Sequence, residues 1–142
     1  MKPRIYFGHP ISYYDIPLEM ELVKIIEREL PIFQVENPNQ PHHQEGYQRH
    51  SKQGKGMDYF FQEVLPATSA GVFLAFEDGN FGAGVFGEAE FLHQQGKPIY
   101  KISIDGVISG MILDFARKLS IEETRARVYD KDKNIIKFLK SY

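Results

Sequence analysis

The chain has 142 residues, a formal net charge of −2 and no cysteine. Its length suits a single domain, which we predict to cover residues 1–142. Without cysteine, disulfides, thiolate metal ligands and a thiol nucleophile are excluded. The 17 basic and 19 acidic residues are interspersed, which argues against binding to a nucleic-acid polymer. No apolar run suits a signal peptide or a membrane span, so we expect no membrane association and a cytoplasmic location.

Short apolar runs alternate with helical patterns over the first two thirds of the chain. Strands are predicted at residues 4–8, 32–35, 70–76 and 99–104, and helices at 17–30, 57–65 and 84–95. Such alternation is typical of parallel sheets with right-handed crossovers. The predicted fold class is therefore α/β, a single Rossmann-like (flavodoxin-like) domain. Its five-stranded sheet is expected to be mostly parallel, in the order 2-1-3-4-5, with helices on both faces.

The remaining segments carry weaker patterns. Residues 40–56 are polar and lack apolar periodicity, so we predict a mobile loop that closes over a ligand. Residues 111–116 suit either a strand or a short helix. The fifth strand is predicted at 125–129 and a terminal helix at 133–141.

A glycine-rich turn from Asp78 to Glu88 follows the most apolar strand and opens a helix. Glycines let a ligand approach the backbone closely, and a helix N-terminus presents unpaired N–H groups to an anion. In parallel sheets, ligands bind beyond the carboxyl ends of the strands, so the 8–15 loop after the first strand belongs to the same region. The turn predicts a nucleotide or nucleoside site. A tight crossover without a ligand is the alternative.

Three segments resemble the nucleoside 2-deoxyribosyltransferase superfamily, which includes transferases and nucleoside 5'-monophosphate N-glycosidases. They are Ile5-Tyr6-Phe7-Gly8-His9-Pro10, Gly82-Ala83-Gly84 with a following glutamate, and Gly96-Lys97-Pro98-Ile99. The resemblance extends over roughly residues 4 to 102. In the family, the catalytic glutamate typically precedes the lysine by nine positions, which points to Glu88. The family usually has an aspartate just before the third strand, where this chain has Thr68-Ser69.

The resemblance implies N-glycosidic bond cleavage through an oxocarbenium-like transition state. Glu88 would attack the anomeric carbon, and Tyr6 would orient it. Asp78 or Asp58 could protonate the leaving base if burial raised its pKa. Alternatively, Tyr6 is a core aromatic residue, and Glu88 only compensates the helix dipole.

If the turn is a binding site, Glu88 should face an open cleft near Tyr6 and the turn formed by residues 8–10. Glu90 should then point elsewhere, because two steps along a helix rotate the side chain by roughly 200°. The predicted substrate-binding residues are Gly8, His9, Pro10, Asp58, Gly82, Gly84, Arg49 and His50.

No cofactor and no metal are predicted. His42, His43 and His50 lie in the polar segment without a cysteine or an acidic pair at metal-binding spacing. The predicted partner is a small nucleoside or nucleotide. The resemblance also implies a homodimer or a higher homo-oligomer.

Two other functions stay open. The chain could be a non-catalytic nucleotide-binding or sensor domain. The absence of the family aspartate at Thr68-Ser69 would be consistent with a loss of catalysis. A phosphoribohydrolase of the cytokinin-activating type also places a glutamate after a glycine-rich turn, but its Pro-Gly-Gly and Gly-Thr elements are absent. Release of free base that is lost in Glu88→Ala would distinguish the enzyme from the sensor.

Overall fold

Five strands form one mixed sheet in the computed structural model, which describes residues 2–52 and 58–138. The strands are β1 (Arg4–Gly8), β2 (Gln34–Glu36), β3 (Ala70–Leu74), β4 (Ile99–Ile102) and β5 (Ile108–Gly110). Their order is β2-β1-β3-β4-β5. The first four run parallel, and β5 pairs antiparallel with β4. The predicted α/β class, the order of the first four strands and the mostly parallel pairing are confirmed.

The central strands are covered on both faces. All five residues of β3 are buried, as expected for a continuous apolar run between two helical layers. Alternate residues of β1 enter two separate cores. Ile5 and Phe7 pack with Leu22 and Ile26 on one face, while Tyr6 packs with the residues of the other face. The second core contains Phe73, Phe86, Ala89 and Leu92.

Four α-helices accompany the sheet in the described ranges. They are α1 (Pro17–Glu29), α2 (Pro41–Ser51), α3 (Ala83–Gln94) and α4 (Ile121–Val128). The first core takes most of its helical residues from α1, with Val128 from α4, and the second takes its α-helical residues from α3. The helices α1 and α3 therefore lie on opposite faces of the sheet. A π-helical segment (Phe60–Val64) and a 3-10 turn (Leu65–Ala67) lead into β3. No helix in the described part of the chain is long and apolar enough to span a bilayer.

Two predicted elements are wrong. The polar segment 40–56 is not a loop throughout, because Pro41–Ser51 forms α2; closure over a ligand stays a prediction, and residues 53–56 lie outside the described ranges. The predicted strand 125–129 instead belongs largely to α4, whose N-cap Ser120 forms a capping box with Glu123. That box satisfies two backbone donors and fixes the helix start. The fifth strand is β5.

The other two uncertain segments have little regular structure. Residues 111–116 contain only the start of a 3-10 turn, Phe115–Arg117. Residues 133–138 contain no helix, and residues 139–141 of the predicted terminal helix lie outside the described ranges.

Candidate active site

Glu88 and Tyr6 meet where α3 crosses the carboxyl end of β1. The Tyr6 hydroxyl donates a hydrogen bond to Glu88 Oε2 at 2.5 Å. A Cβ placed on Gly8 would lie 3.3 Å from Glu88 Oε1, so the last residue of β1 borders the carboxyl group. The predicted proximity of Glu88 to Tyr6 and to the turn after β1 is confirmed.

The sequence of α3 places Glu88 against the sheet. Val85, Ala89 and Leu92 are buried on the same side of this helix, because residues three and four apart share a helical face. Glu88 lies among them and is only 5% exposed. Glu90 is half-buried and makes no hydrogen bond with Tyr6 in the described residues. The expected separation of the two glutamates is therefore confirmed.

The start of α3 is fixed by a side chain from α4. The Thr124 hydroxyl accepts a hydrogen bond from Ala83 N at 2.9 Å, which satisfies one of the unpaired donors at the helix N-terminus. A Cβ on Gly82 would lie 3.1 Å from the Thr124 methyl group. Gly82 therefore serves this packing, whereas Gly84 is exposed in the first turn. A substrate contact of either glycine stays a prediction.

Burial dominates the electrostatics of the pair. It raises the pKa of Glu88 to about 8, although the hydrogen bond from Tyr6 acts in the opposite direction. The pKa of Tyr6 is well above its usual value, first because of burial and then because of the charge of Glu88. At neutral pH the Glu88 carboxyl is thus mainly protonated in the free protein. A strongly perturbed carboxyl group at the carboxyl ends of parallel strands is typical of functional sites.

The Glu88 carboxyl group does not face the expected open cleft in the described part of the chain, because only 5% of the residue is exposed; this expectation is wrong. A cavity of about 1190 Å³ lies instead beyond β3 and β4. It is lined by Phe76 and by Asp78 and Gly79 of the glycine-rich turn, but by neither Tyr6 nor Glu88. The turn therefore borders an open space, while the carboxyl group itself is enclosed.

His9 supports the loop after β1 from within. Its Nδ1 lies 2.9 Å from the Phe7 carbonyl and its Nε2 lies 2.7 Å from Glu19 Oε2. A carbonyl only accepts, so Nδ1 carries a proton. Burial alone would raise the pKa of Glu19, but hydrogen bonds from His9 and Asn39 outweigh it and lower this pKa. Both ring nitrogens are occupied, so His9 anchors the loop to α1 and has no free nitrogen for the predicted substrate contact.

Pro10 and Tyr14 flank the next turn. Pro10 precedes the 3-10 turn Ile11–Tyr13 and accepts the first hydrogen bond of that turn; its predicted substrate contact stays a prediction. Sequence reasoning missed Tyr14. The ring of Tyr14 lies 4.8 Å from that of His9. Burial and then the charge of Glu88 raise the Tyr14 pKa. The sequence points to the loop after β1, but nothing in its pattern distinguishes this tyrosine.

Asp78 does not have the properties of a proton donor. Its carboxylate accepts two hydrogen bonds from the Arg127 guanidinium, at 2.9 and 2.6 Å. This pairing holds the pKa of Asp78 far below its usual range. The donor role requires a raised pKa. The assignment of Asp78 as the catalytic acid is therefore wrong.

The other predicted contacts are spread over α2 and the segment after it. Arg49 is exposed on α2. His50 Nε2 lies 2.8 Å from Glu63 Oε2, which ties α2 to the π-helical segment. Asp58 is half-buried. None of the three makes a hydrogen bond or an ion pair with Glu88 in residues 2–52 and 58–138, so their substrate contacts stay predictions.

A second polar cluster lies beside Tyr6 and was also missed. Glu36 ends β2 and is the register partner of Tyr6. Its Oε1 lies 2.8 Å from His43 Nε2, and its Oε2 lies 3.3 Å from Arg4 Nη1. The other nitrogen of His43, Nδ1, lies 2.6 Å from the Tyr59 hydroxyl. Glu36 lies outside the polar segment 40–56, so the spacing of residues within that segment does not reveal it.

The same cluster contains the one potential metal-binding group found among the described residues. One nitrogen from each of His42 and His43 and one carboxylate oxygen of Glu36 all lie within 4.8 Å of one another. His43 and Glu36 are buried, whereas His42 is exposed.

Comparisons of the chain with protein-family models, with curated proteins and with solved structures found no match. Functional assignment therefore depends on the geometry of the Tyr6–Glu88 pair and its surroundings.

Proposed function

We propose that this Rossmann-like domain cleaves the N-glycosidic bond of a nucleoside or a nucleoside monophosphate, with Glu88 as the nucleophile. The observation that carries the proposal is the buried Glu88 carboxyl group, hydrogen-bonded by Tyr6 at the carboxyl end of β1. Ligands of parallel α/β sheets bind at this edge. The resemblance in sequence, which assigns Glu88 the same role, agrees with this placement.

The chemistry follows from the two oxygens of the carboxylate. Once ionised, Glu88 attacks the anomeric carbon as the bond to the base breaks, and an ester to the sugar forms. Tyr6 holds Oε2, so Oε1, the oxygen beside Gly8, is the one free to attack. The electron pair of the broken bond leaves with the base, which takes up a proton. Water or a second base then releases the sugar from Glu88.

The proton for the leaving base has to come from another group. Asp78 is unsuited because Arg127 holds it ionised. Of the two acids suggested by the sequence, Asp58 remains, half-buried ahead of the π-helical segment. Alternatively, water protonates the leaving nucleobase.

A non-catalytic nucleotide-binding domain is the second candidate, and one observation favours it. Thr68, next to the position of the family aspartate, donates its hydroxyl to the Leu65 carbonyl at 2.8 Å. It therefore supports the turn before β3 and supplies no acid. With Glu88 protonated at neutral pH, such a domain would bind its ligand without cleaving it.

One experiment separates the candidates. The chain is incubated with a panel of nucleosides, deoxynucleosides and their monophosphates at several pH values, and free base is measured by chromatography. The enzyme releases base, Glu88→Gln abolishes the release, and the matched variant Glu90→Gln keeps it. Ligand binding by calorimetry without release would support the sensor instead. Release that survives in Glu88→Gln would refute the catalytic assignment. The homo-oligomeric state and the cytoplasmic location stay predictions.

A further inference from the structure

We infer that Glu36, His42 and His43 form a binding site for a divalent transition-metal ion of the zinc type. The site would lie at the carboxyl end of β2, beside the Tyr6–Glu88 pair. It does not depend on the proposed function, since its ligands are separate from Glu88.

The donor atoms are close enough for one ion. Zinc binds imidazole nitrogen and carboxylate oxygen at about 2.0–2.2 Å, so tetrahedral ligand atoms are separated by roughly 3.3 Å. In this structure the three atoms lie within 4.8 Å of one another. The spacing of 2.8 Å between His43 Nε2 and Glu36 Oε1 already resembles that of neighbouring ligands. Small side-chain rotations would complete the geometry.

Two neighbours hold the ligands in place. Arg4 contacts Glu36 Oε2 and leaves Oε1 directed at the imidazoles. The Tyr59 hydroxyl lies 2.6 Å from His43 Nδ1, so Nδ1 can donate to it while Nε2 faces the ion. A metal-bound histidine commonly donates its second ring N–H to an oxygen, which fixes its tautomer and orientation.

The backbone of α2 is adapted to this arrangement. A Cβ at Gly46 would overlap the ring of Tyr59, so only glycine lets the ring lie against α2 and its hydroxyl reach His43. This close packing lets Tyr59 hold the buried imidazole of His43 in place.

His42 would be the third ligand. The His43–Glu36 hydrogen bond does not need it, yet the ring centroids of His42 and His43 lie only 3.9 Å apart. His42 has no hydrogen bond among the described side chains and is exposed. Three protein ligands with one exposed side leave a coordination position for water or substrate, as in zinc sites that are open to ligands. Mixed imidazole and carboxylate ligands suit zinc, cobalt and related ions.

The test titrates cobalt(II) and zinc(II) into chain that carries no histidine tag and has been treated with chelator. We expect one ion per chain by calorimetry, visible d–d absorption with cobalt, and its loss when zinc displaces cobalt. His42→Ala alters an exposed side chain, so the fold should persist, which circular dichroism checks. It should weaken binding about tenfold or more. Tyr59→Phe should weaken it by about 10–100-fold, the usual effect of removing a supporting hydrogen bond.

His93→Ala is the matched control, because His93 is an exposed histidine on α3 and should leave affinity unchanged. The inference would be overturned if the parent chain showed no saturable one-to-one binding. Equal affinity in His42→Ala and the parent, or a loss of binding in His93→Ala, would overturn it as well.

Discussion

The buried carboxyl group of Glu88 should make the stability of the protein depend on pH. Its pKa in the folded state is about 8, against an ordinary value of 4.5. Between these pH values the folded protein keeps the proton that the unfolded chain has lost. Unfolding then releases a proton, so the free energy of unfolding falls as the pH rises through this window. Replacement of Glu88 by glutamine removes the titration and keeps the shape.

The size of the effect follows from the pKa difference. Each pH unit above the unfolded value costs about 1.4 kcal/mol of stability until the folded value is reached. At pH 7 the penalty is about 3 kcal/mol, and it approaches about 5 kcal/mol above pH 8. The glutamine oxygen can still accept the Tyr6 hydrogen bond. Glu88→Gln should therefore be about 3 kcal/mol more stable than the parent chain at pH 7 and nearly equal to it at pH 4.

Urea unfolding at several pH values between 4 and 8.5 measures the difference directly. Titration of all other groups is common to both proteins and cancels in the comparison. Glu90→Gln is the matched control for the substitution itself, since Glu90 lies on the same helix and is only half-buried. A difference between Glu88→Gln and the parent that stays constant with pH would refute the reasoning. So would a variant that is less stable at every pH.

Three further outcomes follow from the same contacts. Tyr6→Phe removes the hydrogen bond that opposes the raised pKa of Glu88. For the proposed release of free base, the rise of kcat/KM with pH, expected near pH 8, should therefore move to higher pH; an unchanged profile would contradict this. Gly8→Ala places a Cβ 2.5 Å from the Phe73 ring and should cost about 1–3 kcal/mol in urea unfolding. Arg127→Ala breaks an exposed ion pair and should cost no more than about 1 kcal/mol, as thermal unfolding can show.

The sheet could be predicted because its signals are local. The apolar run at β3 and the short run at β1 determine two central parallel strands, and the helix patterns between strands determine the crossovers. The last strand could not be found in the same way. β5 has only three residues, Ile108–Gly110, too few for a period of two to be recognised. Arg125 to Val128 alternates like a strand, but the capping box at Ser120 starts a helix there.

The polar segment shows a different limit of sequence patterns. α2 has little apolar periodicity because it buries His43 and Gly46 rather than aliphatic side chains. Its buried His43 contacts Glu36 and Tyr59, which lie outside α2. Such tertiary contacts override propensity and cannot be read from one segment alone.

Part of the candidate site could be predicted from the sequence. The resemblance to the family, through the interval between Glu88 and Lys97, points to Glu88. Lys97 itself contacts another part of the chain: its ammonium group donates to the Leu65 and Pro66 carbonyls at 3.2 Å. Lys97 lies just before β4. The interval from Glu88 to Lys97 therefore reflects how far α3 continues beyond Glu88 before β4 begins. Asp78 was misjudged because its partner, Arg127, is 49 positions away.

The stability cost of Glu88 is itself an argument about its role. If this position only filled space between α3 and β1, glutamine or leucine would suit it better. Neither side chain titrates, so neither lowers the stability of the fold as the pH rises. A carboxylate that only compensated the helix dipole would lie exposed in the first turn, where it is stabilising. Glu88 is instead enclosed in the second turn of α3, where the expected penalty is about 3 kcal/mol at neutral pH. Such a penalty is typical of groups retained for chemistry at the expense of stability.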